Sequence, residues 1–398
     1  MSTFADPLPG KSRLAVLLEH FATIDDPRDV RRIAHPLAEI LLLVVCGTIA
    51  DCDDYDHIAA WGEAHLAFLR RHLPYRHGVP GGRWLTILMN RINPALFSAA
   101  FTAWVRGTWP DRPDFVAIDG KTSRRSHDRA AGVAPIHLVS AFATTARLVL
   151  GQEAVPDKAG ELAAIPVLLA RLAEQDGLRG ALVSIDAIAT NGTIAAAIRT
   201  AGADYLLAVK ANQPGLRAEI EACFTVAPPG STPPGGPAGG IETHTAHDKG
   251  HGRTEQRTTS VLREVDWLSG DRRFPGELRL PGVASIVRVE ARIQRGEKTH
   301  TETRYYVSSA TLTAEAAGRA VRGHWGIENR LHWVLEVTFK DDQSRLRKGF
   351  GAKNMAVVRH FAINLARAAN DKQSVKLRRK AAGWDTGYLD DILNEKIR

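Results

Sequence analysis

Two aspartates each follow a short apolar run of the chain. Asp119 comes after FVAI and before a Gly-Lys turn, and Asp186 comes after ALVSI. Ligands of open α/β sheets collect at the carboxyl ends of strands, so these two carboxylates could share a site if their strands are neighbours. An aspartate at a strand end, taken alone, is more often a turn residue or a helix N-cap than a functional group.

A third carboxylate, Glu328, lies in the helical segment VRGHWGIENRLHWVLEVTF, with His324 and His332 one turn to either side. At about 100° per residue, Glu328 falls in the middle of an apolar arc. The arc consists of Val321, Trp325, Leu331, Val334 and Leu335. A carboxylate on a packed face is unfavourable unless it binds a cation or is paired, for example with Arg322 or Lys353.

Together, Asp119, Asp186 and Glu328 form a candidate set for catalysis and metal binding. Carboxylates that converge in a dry pocket repel one another unless a hard divalent cation neutralises them. Oxygen ligands favour Mg²⁺, with Mn²⁺ as a substitute.

Two other metal sites are disfavoured. The acidic run DCDDYDH, which begins at Asp51, lacks the glycine and the distal glutamate of a calcium loop, and it predicts a helix N-cap instead. The stripe of His324, Glu328 and His332 could suggest zinc, but no HExxH motif is present.

The elements that would hold these residues divide the chain into three parts. Residues 1–108 read as a small all-helical domain. Residues 109–370 begin with a β-hairpin at 137–155 and then alternate strands with helices, which predicts an α/β domain with a mixed sheet and flanking helices. Residues 371–398 form a basic tail.

A β-rich insertion at about 214–300 interrupts the α/β domain. It begins near the proline- and glycine-rich stretch 227–240, which we expect to be a mobile loop or linker. Residues 285–294 and 301–308 alternate apolar with charged side chains, as strands with one solvated face do. A long helix is predicted from 314 to 339.

Composition narrows the class of protein. Among 398 residues, 52 Lys and Arg face 44 Asp and Glu, and the net charge of +8 favours a polyanionic partner. Three cysteines without a CxxC pair argue against a disulfide scaffold and fit a reducing cytoplasm. The apolar run 37–50 contains Glu39 and is too short to span a membrane, and the N-terminus lacks the apolar core of a signal peptide, so we expect neither a membrane protein nor an exported one.

Several segments occur together along the chain: IDGKTSRRS, SIDAIATNGTIAAAIRTAGADYLLAVKANQ, GHGRTEQR, YYVSSA and RGHWGIENRLHWVLEVTFKDDQSRLR. This combination resembles the DDE transposases of bacterial insertion sequences, specifically the H-repeat-associated (ISAs-type) group. The resemblance covers nearly the whole chain. It includes the N-terminal helical part, which is similar to the transposase-associated domain of that group, and the ending SVKLRRKAAGWDTGYLDDIL.

The resemblance implies an RNase H-like catalytic domain, with a mixed five-stranded sheet, that the insertion splits between the second and third acids. Asp119, Asp186 and Glu328 occupy the catalytic positions of the family. Many relatives also carry a tyrosine, an arginine and a lysine around the third acid.

In this chain those three places hold Val321, His324 and Leu335, and Glu336 stands where the family often has Asp. Only Glu328 is therefore carried over from that group of residues, and His324 is a candidate substitute contact to phosphate.

The resemblance also implies chemistry and partners. Two Mg²⁺ ions would hold the attacking and leaving oxygens while water cuts at the transposon end and the freed 3′-hydroxyl joins target DNA. The partners would be double-stranded DNA, both terminal inverted repeats and target, and a second copy of the chain in a synaptic homodimer. The protein would act at the nucleoid in the bacterial cytoplasm.

Basic residues in three regions are candidate DNA contacts. Near the acids and in the helix of Glu328 these are Lys121, Arg124, Arg125, Lys210 and His324; in the insertion, Arg253 and Arg257; in the tail, Arg379 and Lys380. Contacts from such residues would bind the DNA backbone. A solvated surface charge explains Lys121 equally well, and it is the usual explanation for the charged residues of a hairpin or of a basic helix face such as those of the insertion and the tail.

Three functions stay open from the sequence. An active transposase would cut and join DNA, a related RNase H-like nuclease would cut without joining, and an inactive remnant would bind DNA only. The presence of all three acids counts against the remnant.

Overall fold

The computed structural model describes residues 10–128, 131–174, 176–225, 240–250, 252–263, 265, 268 and 277–395. The loop predicted at 227–240 lies outside these residues, except for Gly240. In the described part of the chain, no helix combines the length and apolar character that crossing a membrane requires.

The N-terminal region is helical, as predicted. Its helices are α1 (Arg13–Phe21), α2 (Leu37–Ile49), α3 (Tyr55–Ala64), α4 (Leu66–Leu69), α5 (Gly82–Met89) and α6 (Pro94–Thr108). The apolar run that is too short for a membrane span forms α2, which is almost completely buried. Asp54 caps α3 by accepting a hydrogen bond from the backbone N–H of His57 at 2.8 Å, so the predicted N-cap is confirmed.

Five strands form the first part of the sheet: β1 (Phe115–Thr122), β2 (His137–Ala143), β3 (Leu148–Val155), β4 (Leu182–Ile185) and β5 (Asp204–Val209). Their order is β3-β2-β1-β4-β5. The pairs β3–β2 and β2–β1 are antiparallel, whereas β1–β4 and β4–β5 are parallel. This is the RNase H-like arrangement, so the predicted fold class is confirmed.

Helices cover both faces of this sheet. On one face, α7 (Glu161–Ala173), α8 (Gly192–Thr200) and α9 (Pro214–Thr225) bury the apolar side chains of β1, β4 and β5. On the other face, α10 (Ala314–Ile327) packs on the β5 side. The long helix α12 (Gly351–Arg367) packs on that face too and shares one core with the N-terminal helices.

The strands of the insertion extend the same sheet. They are β6 (Glu242–Gly250), β7 (Arg253–Arg263), β8 (Ser285–Arg295) and β9 (Lys298–Ser308). Strand β9 pairs antiparallel with β5, so β5 is not left as an open edge, and the described residues contain one sheet of nine strands. This continuity brings the insertion next to the strand that follows the second acid.

The basic tail folds back onto the N-terminal helices. It forms α13 (Val375–Trp384) and α14 (Thr386–Asn394). Leu389, Ile392 and Leu393 are buried in the core that also contains α2 and α12. The tail therefore packs as part of the helical layer.

Candidate active site

The first two acids leave neighbouring strands at the same level. Strands β1 and β4 pair in parallel up to Ile118 and Ile185, and Asp119 and Asp186 are the next residues. Asp186 directly follows β4, as predicted. The prediction of a strand end is wrong for Asp119, because β1 continues to Thr122 along β2 and Asp119 pairs with Ser140.

Gly120 has no room for a side chain. A Cβ atom there would lie 2.1 Å from Nε2 of His137 and 3.0 Å from Oε2 of Glu161. These two side chains form a buried pair, with 3.1 Å between Nε2 and Oε2. Successive residues of a strand point to opposite faces, so this pair fills the face away from Asp119.

The third acid stands where the helix after the insertion changes its hydrogen bonding. Between α10 and α11 (Trp333–Val337) lies a π-helical turn, Glu328–His332, closed by a bond from the N–H of Trp333 to the carbonyl oxygen of Glu328. Such turns are frequent at functional sites.

The expected burial of Glu328 is wrong: its side chain is exposed. The arc that packs into the core is centred on Ala320, Ile327, Leu331 and Leu335. Trp325, counted in the predicted apolar arc, is 40% exposed, and it lies with Glu328 at the edge of the packed arc, where the helix faces a cavity.

All three acids line that cavity, which has a volume of about 150 Å³. Its other charged or aromatic lining residues are Lys210, Glu302, Arg304, Tyr306, His324 and Trp325. Sequence reasoning missed Glu302, Arg304 and Tyr306, which lie on one face of β9. Their spacing of two residues was the signal that could have revealed them.

The negative charges of Asp119 and Asp186 differ in how far positive groups nearby neutralise them. Burial raises the pKa of Asp119 to about 7, and the negative charges of Glu161, Glu328 and Asp186 add to this effect. The pKa of Asp186 is lowered despite burial, because Nζ of Lys210 donates a hydrogen bond to its Oδ1 at 2.7 Å. Lys210 therefore holds the place of a counter-cation on Asp186, whereas no Lys or Arg of the described part of the chain pairs with Asp119.

Two histidines beside the acids are neutral at pH 7. Burial lowers the pKa of His332 to about 3, so its Nδ1, 3.5 Å from Oδ2 of Asp119, makes a polar contact and not an ion pair. Burial also lowers the pKa of His324, whose Nδ1 is 3.1 Å from Oγ of Ser184. His324 can offer a phosphate a hydrogen bond but no full positive charge.

The donor set suits a hard divalent cation in its chemistry. Three carboxylates share the cavity, and burial together with the neighbouring carboxylates raises the pKa of Asp119, an effect that a bound cation would oppose. Within the described ranges, however, no three His, Cys, Asp or Glu side chains are already grouped as a ligand set. Lys210 is paired with Asp186 in this arrangement.

The basic segment after Asp119 packs against Asp341 and Asp342, which follow α11. Lys121 is 8% exposed, and its Nζ lies 3.0 Å from Asp342 and 3.8 Å from Asp341. Nε of Arg124 lies 3.3 Å from the same Asp342, and Arg125 is exposed. The ammonium of Lys121 is thus buried in ion pairs within the protein, whereas Arg124 and Arg125 are exposed to solvent.

The arginines of the insertion border a second cavity of about 180 Å³. Arg253 and Arg257 line it, and it shares Glu302, Arg304 and Trp325 with the cavity of the three acids. The sheet thus brings the insertion arginines beside the acids.

Charge pairs hold these arginines in place. Nη2 of Arg257 lies 2.6 Å from Glu255, and Nη2 of Arg253 lies 3.9 Å from it. Arg304 donates to both oxygens of Glu302 at 2.7 and 2.9 Å, and its guanidinium lies 4.7 Å from the ring centre of Trp325.

The two tail residues differ sharply in accessibility. Arg379 is fully buried: its Nε donates to the carbonyl of Thr48 at 3.0 Å, and Nη1 lies 3.1 Å from Asp51. As placed, it is inaccessible to DNA. The side chain of Lys380 is 43% exposed, with Nζ 3.5 Å from Asp51.

The fold and the site define an RNase H-like domain with three acids around one cavity. The family described as "Transposase DDE domain" matches residues 110–365, and the one described as "DDE_Tnp_1-associated" matches residues 18–105. The chain therefore belongs to the DDE transposase family, and the resemblance found in the sequence is confirmed.

Three relatives from Escherichia coli K12 illustrate the relationship. "H repeat-associated putative transposase YhhI" is 36% identical over 96% of this chain and 98% of its own length. The protein YbfL is 35% identical over the same shares of both chains. "Inactive transposase YbfQ" is 34% identical over 17% of this chain and 80% of its own length.

Among solved structures, a piggyBac transposase synaptic complex with hairpin DNA matches with a TM-score of 0.40 and 11% identity. The match covers 98% of this chain and 81% of that chain. A similarity of this size carries no argument about function.

Proposed function

We propose that this protein is an insertion-sequence transposase that binds transposon-end DNA and catalyses strand cleavage followed by strand transfer. One observation carries the proposal. Asp119, Asp186 and Glu328 are far apart in the chain, yet they line a single cavity in the RNase H-like domain of a DDE family member.

The three acids would hold Mg²⁺, in two ions, with Mn²⁺ as a substitute. When bound, the metal would neutralise charge that develops on a phosphodiester during in-line substitution at phosphorus. The chain's own groups have separate tasks around it. Lys210 supplies positive charge, His324 a neutral hydrogen-bonding group, and Trp325 with Arg304 a flat surface beside the acids.

The DNA would approach over the surface shared by the two cavities. Arg253 and Arg257 border this surface, and the exposed Arg124 and Arg125 follow β1, the strand of Asp119. Such contacts neutralise backbone phosphates, so DNA binding should weaken steeply as salt rises. A flat salt response would contradict a backbone-dominated interface.

The proposed partners are the two terminal inverted repeats, target DNA and a second copy of the chain. Two DNA ends must be held together for strand transfer, so we propose a homodimer in the synaptic complex. The site of action would be the bacterial nucleoid.

The test incubates purified protein with Mg²⁺ or Mn²⁺ and DNA that carries the native flanks of its own gene. Cut and joined products are mapped by sequencing, with Glu328→Gln as the matched variant. Joined products, or discrete cuts on both sides of the gene, that vanish in the variant would support the transposase.

Other outcomes would favour the alternatives. Scattered cuts without joining, again absent in the variant, would indicate an RNase H-like nuclease. DNA binding without any cutting by either protein would indicate an inactive remnant.

A further inference from the structure

Lys210 is placed to exchange partners. It directly follows β5, and its Nζ lies 2.7 Å from Oδ1 of Asp186, which directly follows the neighbouring strand β4. The contact is open to solvent, because 58% of the Lys210 side chain and 45% of the Asp186 side chain are exposed. An ion pair this exposed is weak, and a lysine on a flexible stem can leave it easily.

Other cations near the acids are held more firmly. Arg304 makes two hydrogen bonds to Glu302 and stacks on Trp325. Lys121 is buried and faces Asp341 and Asp342. Neither group can swing toward a new partner without breaking several contacts.

We propose that Lys210 is a displaceable counter-cation that couples metal binding to DNA binding. In the free protein it neutralises Asp186. When a divalent cation takes Asp186, the lysine is released, and its ammonium pairs with a backbone phosphate of bound DNA. This inference rests on the proposed function, because it requires both a metal at the acids and DNA beside them.

Two consequences follow from the exchange. Without DNA, Lys210 and the divalent cation compete for the same carboxylate, so the lysine weakens metal binding. With DNA, the released ammonium adds a phosphate contact, so each ligand strengthens the binding of the other by the same factor.

The metal half of the proposal is tested without any reaction. Binding of Mn²⁺ is measured from the electron paramagnetic resonance signal of the free ion, in the absence of DNA. Lys210→Met should bind Mn²⁺ roughly two- to fivefold more tightly than the wild type, the range expected for loss of an exposed ion pair. Lys210→Arg, which keeps the charge, should stay near the wild type.

Arg253→Gln is the matched control for charge alone. It removes one positive charge from the neighbouring cavity, where Arg253 lies 3.9 Å from Glu255 and contacts none of the three acids. Its Mn²⁺ affinity should equal that of the wild type. An equal gain in Mn²⁺ affinity in Arg253→Gln and Lys210→Met would overturn the proposal, because the loss of one positive charge anywhere near the acids would then explain both results.

The coupling half uses fluorescence anisotropy of a labelled duplex from the gene's own flank, with and without Ca²⁺. The gain in DNA affinity caused by the ion should be roughly two- to fivefold smaller in Lys210→Met than in the wild type. Arg253→Gln should bind DNA more weakly at every ion concentration but keep the full gain. An undiminished gain in Lys210→Met would overturn the proposal.

Failure of this inference is distinct from failure of the proposed function. If Glu328→Gln loses Mn²⁺ binding while Lys210→Met binds like the wild type, the metal site stands and the role of Lys210 is wrong. If the wild type and all variants fail to bind Mn²⁺, the metal-dependent function itself is wrong, and this inference falls with it.

Discussion

Ile118 of β1 and Ile185 of β4 form the last pair between these two parallel strands, and an aspartate follows each of them. Asp119 and Asp186 are therefore fixed side by side by backbone pairing, whatever their side chains do. Glu328 reaches the same cavity from a helix packed on this face of the sheet. The sheet therefore positions two of the acids and a helix positions the third.

Removing the charge of any one acid should abolish cleavage. Asp119→Asn, Asp186→Asn and Glu328→Gln keep the size of each side chain while removing a charged oxygen ligand from the proposed metal site. Fold and DNA binding should remain, as checked by thermal melting and anisotropy. Full cleavage activity in one of the three would show that the residue has been assigned wrongly.

Asp119 should make the fold less stable as the pH rises. Its pKa is raised to about 7 in the folded protein from about 3.8 in the unfolded chain, so the unfolded state ionises first. Between pH 4 and 7 the wild type should lose up to about 4 kcal/mol of unfolding free energy on this account. The Asp119→Asn variant should lack this loss in urea unfolding with a chelator present.

The contribution of Asp186 to the stability of the fold should change with pH in the opposite direction to that of Asp119. Its pKa is lowered in the folded state by Lys210, so its contribution is present above the unfolded pKa and is lost as the pH falls. Identical pH profiles for the wild type and Asp119→Asn would refute the electrostatic description of the cavity.

Substitution of Arg379 should affect the stability of the fold, whereas substitution of Lys380 should affect DNA binding. Arg379→Met leaves Asp51 and two backbone carbonyls without their buried partner, and it should cost about 3 kcal/mol in urea unfolding. Lys380→Gln should change stability by less than about 0.5 kcal/mol. If Lys380 contacts a phosphate of the DNA backbone, Lys380→Gln should lower the slope of log affinity against log salt concentration by about one.

Trp325 should matter for DNA with unpaired bases. Its exposed ring lies between the two cavities, and aromatic rings stack on unpaired bases with about 1–3 kcal/mol each. Trp325→Leu should weaken binding of a duplex with a frayed end more than binding of a plain duplex, as measured by anisotropy. Trp333, 56% exposed and outside both cavities, gives the control Trp333→Leu, which should leave both affinities unchanged.

The local patterns in the sequence predicted the elements well. Apolar runs that stop at an aspartate located β4 and the first half of β1, and alternation located β8 and β9. These features depend on neighbours in the sequence, which is why they can be read from it.

The contacts that decide accessibility could not be predicted in this way. Lys121 is buried by Asp341 and Asp342, and Arg379 by Thr48 and Asp51, all of them distant in the sequence. The sequence around a basic residue is no different when the residue faces solvent than when it pairs with a carboxylate distant in the chain. Tertiary packing alone separates Lys380 from its neighbour Arg379.

The π-helical turn at Glu328–His332 should position the third acid. A π turn contains one residue more than the α-helical turn it replaces, so deletion of Asn329 lets a regular helix close without changing the register of α10 and α11. Asn329 is exposed, and its side chain bonds only to the carbonyl of Trp325 within the described residues, at 3.1 Å. The deletion should therefore leave the melting temperature close to that of the wild type while displacing Glu328 from the other two acids. Because a displacement of about 1 Å can lower a rate about 100-fold, cleavage should fall by that order, whereas Asn329→Ala should retain activity. A deletion variant that folds and cuts as well as Asn329→Ala would show that the extra residue has no part in placing Glu328.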